Sequence, residues 1–192
     1  MTIRALCMRC VRMLPVLGAA GALACGAFAG CSSPNAEART DAIGPDATQF
    51  ASVAPVLVRR CGSIDCHGSR YRNMRIYGYG GQRLGPNAKT PDAPKSVTAE
   101  EQAATYDSVV GLEPEIMHDV VQSGGAAPER LTFVRKGRGE EDHKGNQRIT
   151  KGDNSDRCIT SLLANNVDKA ACDLAGCIDV SDGGVRSIGT CL

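Results

Sequence analysis

Apolar residues recur at helical spacing in several stretches of this chain. In "DATQFASVAPVLVRRC" (46–61), Phe50, Val53, Val56 and Leu57 share one face, which predicts an amphipathic helix. Asp46 is its candidate N-cap, and Gln49 three residues on makes the start resemble a capping box. Pro55 predicts a kink or a split, because it lacks a backbone donor. Thr98 and Glu101 form a second capping box ahead of "AEEQAATYDSVVG", whose expected buried stripe is Ala103, Tyr106, Val109 and Val110. "EPEIMHDVVQSGG" predicts another short helix, with Pro114 near its start and Gly124 after its end. "SDRCITSLLANN" predicts a last one, capped by Asp153 or Ser155, with Ile159, Leu162 and Leu163 inward. The fold class expected is mainly α.

Between the helices the pattern fades. "GSRYRNMRIYGYGGQRLGPNAKTPDAPKS" predicts a long wrapped loop with a short extended piece around 74–77, in which Tyr71, Tyr77 and Tyr79 argue for packing. "APERLTFVRKG" is a short apolar element of either type, and "RGEEDHKGNQRITKGDN" is a polar loop containing His143. The three adjacent acids Glu140, Glu141 and Asp142 fit a solvated loop better than a calcium site. No internal repeat is visible.

The first 30 residues combine Arg4, Arg9 and Arg12 with an acid-free apolar run over 13–30, as in a secretory signal peptide. The run could just span a bilayer, but Pro15 and the many Ala and Gly residues argue against an uncleaved anchor. "FAGCSSPNAEART" resembles the lipobox of bacterial lipoproteins, with Phe28 in place of the usual aliphatic residue. That resemblance implies lipidation at Cys31 and a lipid anchor in the bacterial cell envelope, at the outer membrane or on the periplasmic face. Plain secretion is the alternative. Residues 31–45 then form a flexible tether, and 46–192 the domain.

Without residues 1–30 the chain has 19 basic and 21 acidic residues, a formal charge of −2, so no nucleic-acid partner is expected. Seven cysteines remain there, at 31, 61, 66, 158, 172, 177 and 191. With Cys31 lipidated, the other six are an even set in an oxidising compartment, each expected in a disulfide or on a cofactor. Cys158, Cys172, Cys177 and Cys191 most simply make two disulfides of open connectivity, stapling a cysteine-rich C-terminal tail (166–192). Aromatic content is 4% with no tryptophan, so a buried cofactor could supply missing apolar bulk.

The densest chemistry lies in "CGSIDCH", which places Cys61, Cys66 and His67 within seven residues. Haem attachment normally puts two residues between the cysteines and a histidine directly after the second. Here the histidine is in place, but four residues intervene. Gly62 and Ser63 give the backbone freedom to absorb the two extra positions. The alternatives are a small Cys61–Cys66 disulfide loop, or a zinc site with one further ligand, which has no second short-spaced motif beside it. A catalytic dithiol would use a closer spacing. "GYGGQRLG" lacks the spacing of a phosphate loop, and no nucleophile-elbow serine is present.

The helix "VAPVLVRRC" running into "CHG" is similar to the start of the haem motif in class I cytochrome c domains, and four-residue spacings occur among multihaem cytochromes c. "PERLTFVRKGRGEEDHKG" followed by "CITSLL" resembles the C-terminal part of cytochrome c-like domains in bacterial secreted and lipid-anchored proteins. The resemblance covers 48–165 and leaves the tail outside. It implies a small cytochrome c-like helical domain with long loops, carrying one covalent haem c on Cys61 and Cys66, with His67 as the proximal iron ligand. His143, with Met117 as the alternative, is the expected distal ligand. Electron transfer with redox protein partners in the envelope, rather than catalysis, is the implied role. The rival reading is a haem-free, disulfide-stabilised envelope lipoprotein with a structural or binding role.

Overall fold

The computed structural model describes residues 42–85 and 96–176. The expected signal peptide, Cys31, most of the expected tether, Cys177 and Cys191 lie outside the described residues, which contain six α-helices and no strand. α1 is Phe50–Cys61, α2 Ala99–Val110, α3 Pro114–Gln122, α4 Thr132–Arg138, α5 Asn154–Leu163 and α6 Lys169–Gly176. None of them is long and apolar enough to cross a membrane. The mainly helical fold class is as expected.

α1 begins later than its cap. Asp46 caps a 3-10 turn, Ala47–Gln49, by accepting from Thr48 N–H, and the α-helix starts at Phe50. Gln49 does not complete a capping box. Its amide donates to Asp46 and to the Asn165 carbonyl, and its oxygen accepts from Val167 N–H, so it ties α1 to the chain after α5. α1 also runs through Pro55 as one helix, so the chain is not split there. Proline at that point removes the donor for the carbonyl of Ala51, an exposed residue at the helix surface, where water can take its place.

The interior forms where α1, α2, α3, α4 and α5 converge. Phe50, Val53 and Leu57 meet Val109, Met117, Ile159, Leu162 and Leu163 around a void of only about 10 Å³, and Phe50 packs edge-on against Tyr106. Such packing density leaves little room for a misplaced methylene. α6 packs on α5 and on α1, and the Cys158–Cys172 disulfide joins α5 to α6. The expected tail therefore starts with a helix that belongs to the core, in which Ala171, Cys172 and Ala175 are buried.

Other expectations need correcting. Pro45 is buried, its carbonyl accepts from Tyr106 Oη at 2.5 Å, and Ile43 N–H donates to His118 Nδ1 at 3.0 Å. The last residues of the expected tether are thus seated on α2 and α3, where His118 fastens them. Tyr71 is 79% exposed, so of the three tyrosines only Tyr77 and Tyr79 pack. In α2, Ala103 is exposed, whereas the polar Glu101 and Thr105 are fully buried.

That polar stripe holds the chain segment 74–84. Met74 and Ile76 point into the core, and the amides of this segment that face α2 need acceptors because no strand lies alongside among the described residues. α2 supplies these from residues spaced one turn apart. Ser108 Oγ accepts from Arg75 N–H at 2.7 Å, Thr105 Oγ1 from Tyr77 N–H at 3.0 Å, and Glu101 from Leu84 N–H at 3.1 Å. Glu101 also closes the capping box with Thr98 and pairs with Arg83 through two hydrogen bonds.

Candidate functional site

α1 delivers Cys61 as its last residue, and the chain then folds into a tight turn. Gly62 N–H donates to the Val58 carbonyl, Cys66 and Gly68 N–H to the Ser63 carbonyl, and His67 N–H to the Cys61 carbonyl at 3.0 Å. The four residues between the cysteines are taken up in this turn, which returns His67 to the end of α1. Segment 76–82 braces it from behind, through Ile76 N–H to His67 O, Gln82 N–H to Gly68 O, and Ile64 N–H to Gly80 O. Backbones meet without side chains between them: a Cβ on Gly68 or on Gly81 would run into the Gly62 carbonyl oxygen. The glycines of "CHG" and "GYGG" therefore serve close approach, a role that spacing rules for phosphate loops do not reveal.

Cys61, His67 and His143 line a cleft of about 530 Å³ that also includes Met74, Leu112 and Phe133. This is within the roughly 300–1,000 Å³ usual for cofactor and ligand sites. Arg72, Lys136 and Arg148 add positive charge to its wall, against one carboxylate, Glu113. Glu113 is engaged as a cap: it accepts from Thr132 N–H at 2.7 Å and Thr132 Oγ1 at 2.8 Å, fixing the start of α4. Cys66 is half-buried on the turn and is not among the residues lining the cleft.

The two imidazoles lie beside one another in this cleft, ring centres 5.7 Å apart and planes 17° from parallel. His67 Nδ1 lies 3.0 Å from the Met74 carbonyl, which can only accept, so the proton sits on Nδ1 and Nε2 keeps its lone pair. Burial lowers the His67 pKa; the Met74 carbonyl opposes this, while His143, Arg72 and Lys136 reinforce it. The result favours the neutral, ligating form. His143 Nδ1 is buried with no hydrogen-bond partner among the described residues, and the ring rests against Gly145, where a Cβ would collide with it.

The thiols differ from the staple further along. Cys61 and Cys66 are free, whereas Cys158 and Cys172 are bonded. Burial pushes the Cys61 thiol up to about 12, with Arg148 and Arg60 opposing and Cys66 adding to the rise. A thiol held protonated this firmly is a poor nucleophile for disulfide exchange.

Met117 lies elsewhere. It is 1% exposed and lines the apolar void between α1, α2 and α5, not the cleft. Met74, by contrast, borders the cleft and offers its carbonyl to His67. Among the described residues no group of three or more His, Cys, Asp or Glu side chains is placed to hold a metal ion, so the zinc alternative finds no ligand set there. Glu141 is engaged by Arg135 at 2.9 Å and Lys136 at 3.2 Å, which leaves the acidic run without a shared site.

Of the residues expected to hold a haem, Cys61, His67 and His143 share the cleft, and Cys66 lies on the turn beside it. Two unbonded cysteines flank a tight turn, one histidine has its tautomer set by a carbonyl, and a second offers a buried nitrogen without a partner. The wall of the cleft is mixed, with Met74, Leu112 and Phe133 beside the cations Arg72, Lys136 and Arg148. No protein-family model matches the chain, and neither any curated protein nor any solved structure matches it.

Proposed function

We propose that this chain is a lipid-anchored, cytochrome c-like electron-transfer protein of the bacterial cell envelope, with one covalent haem on Cys61 and Cys66. The observation that carries the reading is the bringing together of His67 and His143, ring centres 5.7 Å apart, in a cleft that Cys61 also lines. A haem bound there would supply one-electron chemistry, its iron alternating between ferrous and ferric states.

The chain's own residues do the rest. Met74 holds the His67 ring in the ligating tautomer, the braced 61–68 turn fixes the thiols relative to that ring, and Met74, Leu112 and Phe133 keep water from part of the cleft. Arg72, Lys136 and Arg148 suit carboxylate groups at its rim. With a haem bound, His67 and His143 would be the residues to hold its iron, and a histidine pair would give a lower reduction potential than a histidine–methionine pair. Its partners are redox proteins of the envelope, reached while the lipid on Cys31 keeps the domain at the membrane.

Production of the full chain in a host with haem-maturation machinery, followed by a reduced-minus-oxidised absorption spectrum, tests the reading. A low-spin spectrum that becomes partly high-spin in His143→Ala is expected. The absence of any haem bands after confirmed maturation would refute it.

A further inference from the structure

A buried ion pair closes the base of the loop that carries His143. Arg138, the last residue of α4, donates from Nε (2.7 Å) and Nη2 (3.0 Å) to the two carboxylate oxygens of Asp156 in the first turn of α5. The side chains are 3% and 7% exposed. Gly152 N–H donates to the same carboxylate at 2.8 Å. The loop leaves α4 through Gly139 and rejoins α5 through Gly152, both in the left-handed region, at φ +73° and +85°. A second tie lies beside the first: the Gly137 carbonyl accepts from Arg148 N–H (2.9 Å) and Ile149 N–H (3.0 Å), and buried Ile149 closes over Gly137.

What these ties enclose is a nine-residue arc, 139–147, with His143 at its middle. Buried ion pairs are poor sources of net stability, because desolvation offsets most of their attraction. Their geometry is exacting, however. Asp156 binds both ends of the loop at once, Arg138 on one side and Gly152 on the other, which an apolar contact could not do with the same register. Arg138 Nη1 faces Glu129 at 3.7 Å and makes no hydrogen bond among the described residues.

We propose that Arg138 and Asp156 are positioning residues that set where His143 stands opposite His67, an inference that rests on the haem reading. Neither residue lines the cleft, so they act through what they hold, the loop and the end of α4 from which it leaves. Loosening the pair lets His143 leave the iron and opens that side to a small ligand.

The test uses the full matured chain. Carbon monoxide association with the ferrous protein is compared for wild type, Asp156→Asn, Arg138→Lys and Leu163→Ala, the last a truncation in the interior that costs stability without touching the loop. Loss of such an outer support weakens a ligand's hold by about tenfold to a hundredfold. A rise of that order in carbon monoxide association is expected for Asp156→Asn, a smaller one for Arg138→Lys, and none for Leu163→Ala. Equal association in Asp156→Asn and Leu163→Ala would overturn the proposal. If wild type carries no covalent haem, the haem reading fails, and hydrogen exchange of the haem-free chain then tests the positioning role alone. Asp156→Asn should speed exchange within 139–148 more than within α1, and a uniform increase would overturn it.

Discussion

At the scale of single residues, Met117 and His143 are separated by what surrounds them. Met117 is enclosed by side chains of α1, α2 and α5, and His143 shares a cleft with Cys61 and His67. Met117→Ala is therefore expected to destabilise the fold by about 2–5 kcal/mol, the usual cost of emptying a core methionine site, and to leave the haem spectrum unchanged. His143→Ala should do the reverse, altering the spectrum with a smaller loss of stability, so thermal melts and spectra of the two variants check the assignment together. The Cys61, Cys66 and His67 cluster is legible in the sequence because its members are adjacent. The sequence favoured His143 over Met117 without showing that only His143 borders the cleft, because a count of residues after His67 does not say which side of α3 meets it. The Met74 carbonyl was equally hidden, since backbone acceptors carry no sequence signature.

At the scale of elements, the turn 61–68 and the segment behind it depend on backbone contact. Gly81→Ala places a methyl group against the Gly62 carbonyl and Gly68 Cα, so a cost of about 1–3 kcal/mol, typical of overpacking, is expected, together with poorer haem attachment. Stability and haem yield measured on one preparation check both effects. α2 adds a pH dependence. Burial raises the Glu101 pKa, but hydrogen bonds from Arg83, Thr98 N–H and Leu84 N–H outweigh it and hold the carboxyl below its ordinary 4.5. The folded value is thus below the unfolded one, so the stabilisation is complete above about pH 4.5 and is lost as pH falls through the folded value. Glu101→Gln should lower stability at pH 7 and flatten the acid limb of a stability curve, whereas an acid limb parallel to wild type would contradict this. Apolar spacing located α2 and its cap correctly. It placed Ala103 inward and passed over Thr105, because it cannot foresee polar side chains buried to satisfy the amides of a strandless segment.

At the scale of the whole molecule, the Cys158–Cys172 bond fastens α6 to α5 beside α1. Its 14-residue separation corresponds to a stabilisation of about 3 kcal/mol through restriction of the unfolded chain. A Cys158→Ala/Cys172→Ala double variant should lose about that much in a denaturant melt while keeping its spectrum, since neither residue borders the cleft. The helical architecture was readable from periodicity and caps. The inclusion of α6 and of Pro45 in the packed structure was not, because the side chains that α6 buries, Ala171, Cys172 and Ala175, are small, and both segments are held by contacts from distant parts of the chain.

The central claim is that Cys61 and Cys66 carry a haem rather than a bond to each other, and intact mass of the full chain after haem maturation tests it most directly. The account predicts a mass increased by one haem that survives denaturation and is lost in Cys61→Ser/Cys66→Ser. A mass without haem, with Cys61 and Cys66 recovered as a disulfide after thiol trapping, would contradict it.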